Sequence, residues 1–301
     1  MGMVEVVNFI DITISGIGQG SLYALVAIGF SLTYKITGVL NFAQGQFALF
    51  GSAGVVFLAG LGVSWPLAVI GVLIGGVLFA LLLERAVFRH FVGESVLSVI
   101  IVTLALASII RGTVMIVSGS SFVAYPSGLQ FEWELSLPLG LNISAPFALG
   151  VALSLLSVAV LMLFFRYTVL GSALRASAED DQAIVALGVP IERTIVIAWV
   201  LAILITAIGG ILLGMQRGGS AVSIEAVGII IFAAVVFGGL DSILGAFLGS
   251  LLVGVMQMYA NFYLESIVGP GFSTVFPFAL IVLMILIKPY GLFGTERIER
   301  L

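Results

Sequence analysis

Three side-chain amides lie within six residues of one another in an otherwise apolar stretch: Asn41, Gln44 and Gln46. An amide offers both hydrogen-bond donors and acceptors, which suits the binding of a small polar solute. Polar groups at membrane depth must be satisfied by protein or line a wet cavity. Two interpretations stay open: the amides lie in the interfacial zone where a membrane helix begins, or that helix is discontinuous beside a substrate pathway. Because Gly38 and Gly45 would permit a break, the second is favoured, and we predict that the amides line the pathway.

Arg111 is the one basic residue well inside a long apolar run. Its side chain either snorkels toward the outer interface or pairs with a carboxylate inside the membrane, for which Glu225 is the candidate. An intramembrane ion pair between Arg111 and Glu225 is therefore a prediction that mutation of both residues can test.

The longest polar interruption that carries basic residues spans 166–190 and reads RYTVLGSALRASAEDDQAIVALGVP. We predict a short helix outside the membrane here, capped by Ser177 and stopped by Gly188 and Pro190. Three carboxylates crowd its positive end, namely Glu179, Asp180 and Asp181. Its apolar residues leave one small face, formed by Ala183, Ile184, Ala186 and Leu187. Such a helix is suited to contact a partner protein.

The composition is that of an integral membrane protein. Of 301 residues, 61% are hydrophobic and 9% are charged, with a mean hydropathy of +1.30, whereas a soluble domain has about 25% charged residues. Glycine is abundant, at 37 residues, which suits helices that pack closely in lipid. The start of the chain has no basic n-region, so we expect no cleaved signal peptide.

Nine apolar runs predict an all-α membrane protein with eight or nine spanning helices, forming a single domain over residues 1–301. The runs cover about 12–34, 39–62, 66–83, 96–117, 146–165, 194–215, 226–240, 243–264 and 272–287. A spanning helix needs about 20 residues. The seventh and ninth runs are therefore short enough to be tilted, broken or re-entrant.

Basic residues predict the orientation, because they favour the cytoplasmic side of a membrane. With the N-terminus outside and the C-terminus inside, nine of the eleven Lys and Arg residues lie in the cytoplasm, while Arg217 lies outside and Arg111 within a span. The nine are Lys35, Arg85, Arg89, Arg166, Arg175, Arg193, Lys288, Arg297 and Arg300. This topology makes the stretch 166–190 cytoplasmic and makes 118–145 the longest external loop, in which 131–137 alternates as a short strand would.

Three smaller features predict structural roles. Gly16, Gly18 and Gly20 form a GxGxG string that no strand precedes, which favours helix packing over nucleotide binding. Asp241 follows a FGG turn and is expected to cap a helix. Trp199 falls near the inner membrane interface, where an aromatic anchor is expected.

Several kinds of chemistry are excluded by residues that the chain lacks. It has no cysteine and a single histidine, His90, which excludes disulfides, thiol catalysis and a cysteine or histidine metal cluster. The sequence contains no HExxH motif and no GxxxxGK[ST] loop, so we expect neither an enzyme nor ATP hydrolysis by this chain. It also has no basic footprint for nucleic acid.

Four stretches carry a resemblance to a known family: GSLYALVAIGFSLTYKITGVLNFAQGQF (20–47), RASAEDDQAIVALGV (175–189), FGGLDSILGAFLGSLLVG (237–254) and KPYGLFG (288–294). They resemble the permease subunits of bacterial branched-chain amino acid ABC importers, of the LivH type. The resemblance runs from about residue 9 to residue 295.

This resemblance implies that the chain forms the translocation pathway and binds no cofactor itself. Two cytoplasmic ABC ATPases would bind ATP and Mg, and a second similar permease and a periplasmic substrate-binding protein would complete the importer in the lipid of the bacterial inner membrane. A coupling helix at about 172–189 would dock on an ATPase, and the loop 118–145 becomes a candidate contact for the binding protein. The coupling residues so implied are Arg175, Glu179, Asp180, Asp181, Ala183, Leu187 and Gly188.

The resemblance leaves the solute open among branched-chain or other amino acids, urea, amides, and aromatic or other carboxylates. A pathway lined by amides and apolar groups suits a zwitterionic or neutral solute. The alternative from another class is a self-sufficient transporter or channel driven by an ion gradient. Such a carrier would be expected to bury ionisable residues at mid-membrane, where Arg111 is the single candidate.

Overall fold

The computed structural model describes residues 3–91, 94–119, 125, 134–136, 142–179, 191–217 and 221–294. The helices are α1 (Met3–Thr37), α2 (Gln44–Gly60), α3 (Trp65–Ala86), α4 (Val96–Ser118), α5 (Ala145–Tyr167), α6 (Val169–Glu179), α7 (Ile191–Arg217), α8 (Ala221–Gly238), α9 (Ile243–Tyr259), α10 (Glu265–Val268) and α11 (Phe272–Ile287). A 3-10 turn (Phe88–Phe91) follows α3, and a π-helical segment (Ala260–Leu264) joins α9 to α10. A short antiparallel hairpin, β1 (Glu134–Ser136) with β2 (Asn142–Ser144), precedes α5.

The chain is an all-α, multi-pass membrane protein. Within the described ranges, six helices are long and apolar enough to span a bilayer: Val6–Thr37, Trp65–Phe91, Val96–Ser118, Ala145–Tyr167, Ile195–Arg217 and Ile243–Val268. Three shorter apolar helices accompany them, at Gln44–Gly60, Ala226–Gly238 and Phe272–Ile287. Each apolar run of the sequence coincides with one of these helices.

The second run differs from the prediction in length. Its helix begins at Gln44 rather than at about residue 39, so α2 has only 17 residues and is short like α11. Gly38 ends α1 with a φ of 67°, a conformation that favours glycine, and residues 38–43 form a turn. A non-helical segment that carries Asn41 therefore lies between α1 and α2.

Helix α1 is the centre of the bundle. In its apolar window 78% of the residues are buried inside the protein, against 17% for α4, 22% for α5 and 28% for α3. The outer faces of α3, α4 and α5 are exposed and apolar, as expected of surfaces in contact with lipid. Helices α7 and α9 are intermediate and pack directly on α1.

Small residues bring the inner helices close together, as the abundance of glycine predicts. A Cβ at Gly20 would lie 2.7 Å from Leu251 Cα, and one at Gly16 would lie 2.6 Å from Val255 Cα, so these two glycines of the GxGxG string pack α1 on α9. Gly210 of α7 similarly contacts the backbone of Ala48 in α2. Such contacts exclude any larger residue, because the helix backbones themselves touch.

Three local predictions are wrong. Ser177 lies inside α6 rather than at its start, and Thr168 is the cap, since its Oγ1 accepts a hydrogen bond of 2.9 Å from Gly171 N. Asp241 does not cap α9, because the next residue, Ser242, accepts that bond from Gly245 N at 3.0 Å.

Trp199 is the third case, because it is a core residue and no interfacial anchor. Only 3% of its surface is exposed, and its ring stacks on Phe88 with 3.8 Å between the centroids. Phe47 approaches the same ring edge-on. Hydropathy alone cannot tell a helix end in lipid from one covered by the turn that follows α3.

Three of the stretches that carry the family resemblance meet in the fold. The closing KPYGLFG segment turns back on the end of α8, where Leu292 N and Phe293 N donate hydrogen bonds of 3.0 and 2.9 Å to Phe237 O and Gly238 O. Lys35 Nζ donates to Asp241 O at 3.3 Å on the same turn. These contacts fix the α8–α9 turn against α1 and the C-terminal segment.

Candidate functional site

The three predicted amides line one cavity, called the amide cavity below. It has a volume of about 390 Å³ and lies between α1, α2, α4 and α8. Its described lining is Phe30, Asn41, Phe42, Gln44, Gly45, Gln46, Leu104, Ala107, Ser108, Arg111, Gly228, Ile229 and Phe232. The fold thus brings the amides of the α1–α2 turn together with Arg111 of α4.

Gln44 is held by hydrogen bonds at both ends of its amide. Its Oε1 accepts a bond of 2.9 Å from Asn41 Nδ2, and its Nε2 donates a bond of 2.5 Å to Thr206 Oγ1 of α7. All three side chains are buried. A buried amide with satisfied partners is rigid, so Gln44 fixes the start of α2 against α7.

The turn before α2 is held by side chains rather than by helix geometry. Asn41 Oδ1 accepts a hydrogen bond of 3.0 Å from Ala43 N, which is the local bond that Asn favours at turns. Thr103 Oγ1 of α4 accepts one of 3.3 Å from Phe42 N. These bonds satisfy backbone donors that the missing helical turn leaves open.

Gln46 differs from its neighbours. Its side chain is 5% exposed, and its Oε1 has no hydrogen-bond partner among the residues that the structure describes. A buried polar atom without a partner costs about 1–3 kcal/mol. Gln46 is thus the amide of the cavity wall whose oxygen the described residues leave without a partner.

The first turn of α2 also faces the cavity. Helix N-termini carry a partial positive charge and free backbone N–H groups, which favour an anionic ligand group. Gly45 and Gly228 permit a close approach of α2 and α8 here, because a Cβ at Gly228 would lie 2.9 Å from Gly45 Cα.

The rest of the wall is apolar. Phe30 and Phe42 both pack against Phe232, with ring centroids 6.1 Å apart in each case. Leu104 and Ile229 extend this surface on the two sides of the cavity. The cavity therefore combines a polar end with an apolar one, which suits an amphipathic solute.

The Arg111–Glu225 pair stays a prediction. Arg111 lines the amide cavity, and Glu225 precedes Ile229 of the same wall by one helical turn of α8. The side chain of Glu225 lies outside the described part of the structure.

The predicted coupling residues are described only in part. Arg175 lies on α6, is exposed and donates from Nη2 to Ser172 Oγ at 3.3 Å. Glu179 is the last residue of α6, and its side chain lies outside the described residues. Five further residues lie entirely outside the described part of the structure: Asp180, Asp181, Ala183, Leu187 and Gly188.

Comparison with known proteins shows the family of the chain. The family described as "Branched-chain amino acid transport system / permease component" matches residues 12–285. The chain belongs to this permease family. A LivH permease of the high-affinity branched-chain amino acid transport system from Salmonella typhimurium is 30% identical, with 97% of each chain covered. The corresponding BraD permease from Pseudomonas aeruginosa is 31% identical over 99% of this chain and 100% of that one.

One further relative agrees with this permease family assignment, and a solved structure shares the fold. A probable LivH permease from Methanocaldococcus jannaschii is 30% identical over 92% of this chain and 90% of its own length. The solved structure of PsaBC from Streptococcus pneumoniae in complex with a Fab has the same fold, with a TM-score of 0.53, 16% identity, and 96% and 98% of the two chains covered.

Sequence reasoning missed the residues of this permease that support the amides from other helices. Thr206 and Thr103 each lie between apolar neighbours in a long apolar run, and nothing local marks them as partners of Gln44 or of the turn. Tyr125, which lies between α4 and β1 in the sequence, was missed for the same reason: its buried hydroxyl donates a hydrogen bond of 3.0 Å to Ser52 Oγ.

Proposed function

We propose that this chain is the permease subunit of an ATP-driven, binding-protein-dependent importer in the bacterial cytoplasmic membrane. Its solute is a branched-chain or related amino acid, which crosses the membrane through the amide cavity. The observation that supports this most is that the cavity has a polar end and an apolar end, in a chain that belongs to this permease family.

A branched-chain amino acid matches both ends of the cavity. The guanidinium of Arg111 and the positive end of α2 favour the carboxylate, and the Gln46 Oε1 acceptor can receive a hydrogen bond from the ammonium group. Phe30, Phe232 and Ile229 offer apolar contact to the aliphatic side chain. A volume of about 390 Å³ lies in the range of small-molecule sites. Urea, which has no apolar part, would leave half of this wall unused.

Two cytoplasmic ATPases drive the cycle in this proposal and bind the ATP and Mg. They contact the coupling helix at about 172–189, of which α6 is the first part. Gly171 packs tightly on Phe164 and Phe165, and Leu174 is 1% exposed. Because α6 is packed on the end of α5 and on α1, a displacement imposed on α6 moves the central helix of the bundle.

The remaining partners belong to the same proposal. A second, homologous permease covers an apolar face of the bundle and closes the amide cavity on its open side between α4 and α8. The periplasmic binding protein contacts the loop 118–145. An ion-coupled secondary transporter is the alternative that the experiment must distinguish.

The test is purification of the chain in mild detergent from its native host, with mass spectrometry of the bound proteins, followed by reconstitution of the assembly in liposomes. We expect two ATP-binding-cassette subunits, a second permease and leucine accumulation that needs ATP and the binding protein. Arginine, offered at the same concentration, should not accumulate. Recovery of the chain alone, with solute movement that needs no ATP, would contradict the proposal and support the secondary carrier.

A further inference from the structure

A second polar cavity lies on the other side of α8. It has a volume of about 410 Å³, and its described lining is Gln19, Tyr23, Arg217, Ala226, Ile230, Gln257, Met258, Asn261, Ser273 and Thr274. Ala226 and Ile230 of α8 face it, whereas Gly228 and Phe232 face the amide cavity. In the predicted topology Arg217, at the end of α7, lies toward the outside. This space is called the Arg217 cavity.

Tyr23 is the centre of its hydrogen-bond network. The side chain is completely buried in α1, its hydroxyl donates a bond of 2.8 Å to Gln257 Oε1, and the same oxygen accepts one of 2.8 Å from Arg217 Nη2. The guanidinium also lies over the Tyr23 ring, 6.0 Å from its centroid. Arg217 is thus held in a fixed position at the wall, and its guanidinium carries further N–H donors.

Gln19 adds a donor that the described residues leave without an acceptor. It lies one turn before Tyr23 on α1, is 5% exposed, and its Nε2 has no partner in the described part of the chain. A nearby carboxylate, Glu265, is already engaged: its Oε1 accepts from Gly271 N, Ser273 N and Ser273 Oγ, and Asn261 Nδ2 donates to its Oε2. Within the described lining, therefore, donors and one cation face a cavity that has no carboxylate of its own.

We infer that the Arg217 cavity is a second solute site, which binds the carboxylate of the transported amino acid. Arg217 supplies the charge and the Gln19 amide a second donor, while Ala226, Ile230 and Met258 contact the aliphatic part. The π-helical segment that carries Asn261 is the kind of irregular helix found at functional sites. This inference rests on the proposed function for the identity of the solute, but its carboxylate chemistry is tested separately.

The test uses the full chain in lipid nanodiscs and measures equilibrium binding of radiolabelled 4-methylpentanoate, which has the carboxylate and carbon skeleton of leucine without the ammonium group. We expect leucine to compete for the Arg217-dependent sites and isoamylamine, which lacks the carboxylate, not to compete. Arg217→Gln should weaken this class of sites at least about tenfold, since a hydrogen bond to a charged group is lost. Gln19→Leu should weaken it severalfold.

Arg166→Gln is the matched control, because Arg166 also lies over a tyrosine ring, 5.4 Å from the centroid of Tyr167, but at the opposite end of the bundle. It should bind 4-methylpentanoate as the unmodified chain does. Unchanged binding in both Arg217→Gln and Gln19→Leu would overturn the inference. If Arg217→Gln does not fold, Gln19→Leu decides alone.

Leucine uptake by the unmodified assembly separates this inference from the proposed function. If leucine is not taken up but binding of 4-methylpentanoate depends on Gln19 and Arg217, the proposed solute is wrong and the carboxylate site stands. If leucine is taken up and neither substitution affects binding, the second site alone is refuted.

Discussion

The side-chain amide of Gln44 donates a hydrogen bond of 2.5 Å from Nε2 to the hydroxyl of Thr206. The pair lies directly on Gly29 of α1, where a Cβ would be 2.6 Å from Gln44 Nε2 and closer still to Thr206 Oγ1. The bond that fixes the start of α2 against α7 therefore exists because residue 29 has no side chain. Helices α1, α2 and α7 contact one another at this point, although α7 is distant from the other two in sequence.

Gly29→Ala is expected to force Gln44 and Thr206 apart. Overpacking of this kind costs about 1–3 kcal/mol of folding stability, and solute uptake should fall with it because the cavity wall moves. The melting temperature in detergent and the uptake rate of the assembly are the measurements. Gly112→Ala is the control, since a Cβ at Gly112 meets nothing within 4 Å; equal behaviour of the two variants would refute the account of Gly29.

Gln46→Leu separates binding from folding. Because Oε1 of Gln46 has no described partner, removal of the amide should leave the melting temperature unchanged or raise it. The KM for leucine uptake should rise about tenfold with kcat little changed, as for a lost contact made equally in ground and transition states. Asn8→Leu, at an exposed position of α1, is the control. An unchanged KM would show that Gln46 does not contact the solute.

Much of this arrangement could be predicted from local sequence, and the remainder depends on packing. The nine apolar runs and the small residues predicted the helices, and three amides so close together predicted a shared polar site. Thr206 could not be assigned as a partner of Gln44, because 162 positions separate them and only the packing of α2 on α7 brings them together.

The errors have the same origin. Trp199 looked interfacial by its position in the run, but Phe88 and Phe47 cover it in the fold. Ser177 had the right chemistry for a cap, but Thr168 caps the helix nine residues earlier, since α6 starts at Val169. Arg217 was predicted only to lie outside the membrane. Its contact with Tyr23 could not be predicted, because Tyr23 belongs to another helix.

Ionisation of the Tyr125 phenol makes the folding stability depend on pH in the alkaline range. Burial raises the pKa of this phenol well above its usual value of about 10. The unfolded chain then loses its proton first, so the stabilising contribution is complete below about pH 10 and is lost as pH rises further. The melting temperature of the unmodified chain should fall more between pH 9 and 11 than that of Tyr125→Phe. At neutral pH the variant should be less stable by about 0.5–1.5 kcal/mol, through loss of the bond to Ser52. Parallel pH curves for the two proteins would contradict this.

Charge removal in the predicted coupling segment distinguishes the two classes of transporter. In the combined variant Glu179→Gln, Asp180→Asn and Asp181→Asn, we expect uptake to be lost while the assembly still hydrolyses ATP, because contact with the ATPase no longer moves α6. Glu94→Gln, an exposed carboxylate before α4, should leave both activities unchanged. A triple variant with normal uptake would favour a carrier that needs no ATPase.

The most direct measurement of the central claim uses the absence of cysteine from the chain. Gln46→Cys places a single thiol in the amide cavity, and its rate of reaction with a charged methanethiosulfonate reagent can be followed in the reconstituted assembly. Ser154→Cys, at a fully buried position of α5, is the control and should not react. We predict that the thiol at position 46 reacts and that leucine slows the reaction about tenfold or more, as expected if solute at many times its Kd occupies the cavity. A reaction rate that leucine leaves unchanged, in an assembly that still transports leucine, would contradict the assignment of this cavity to the solute pathway.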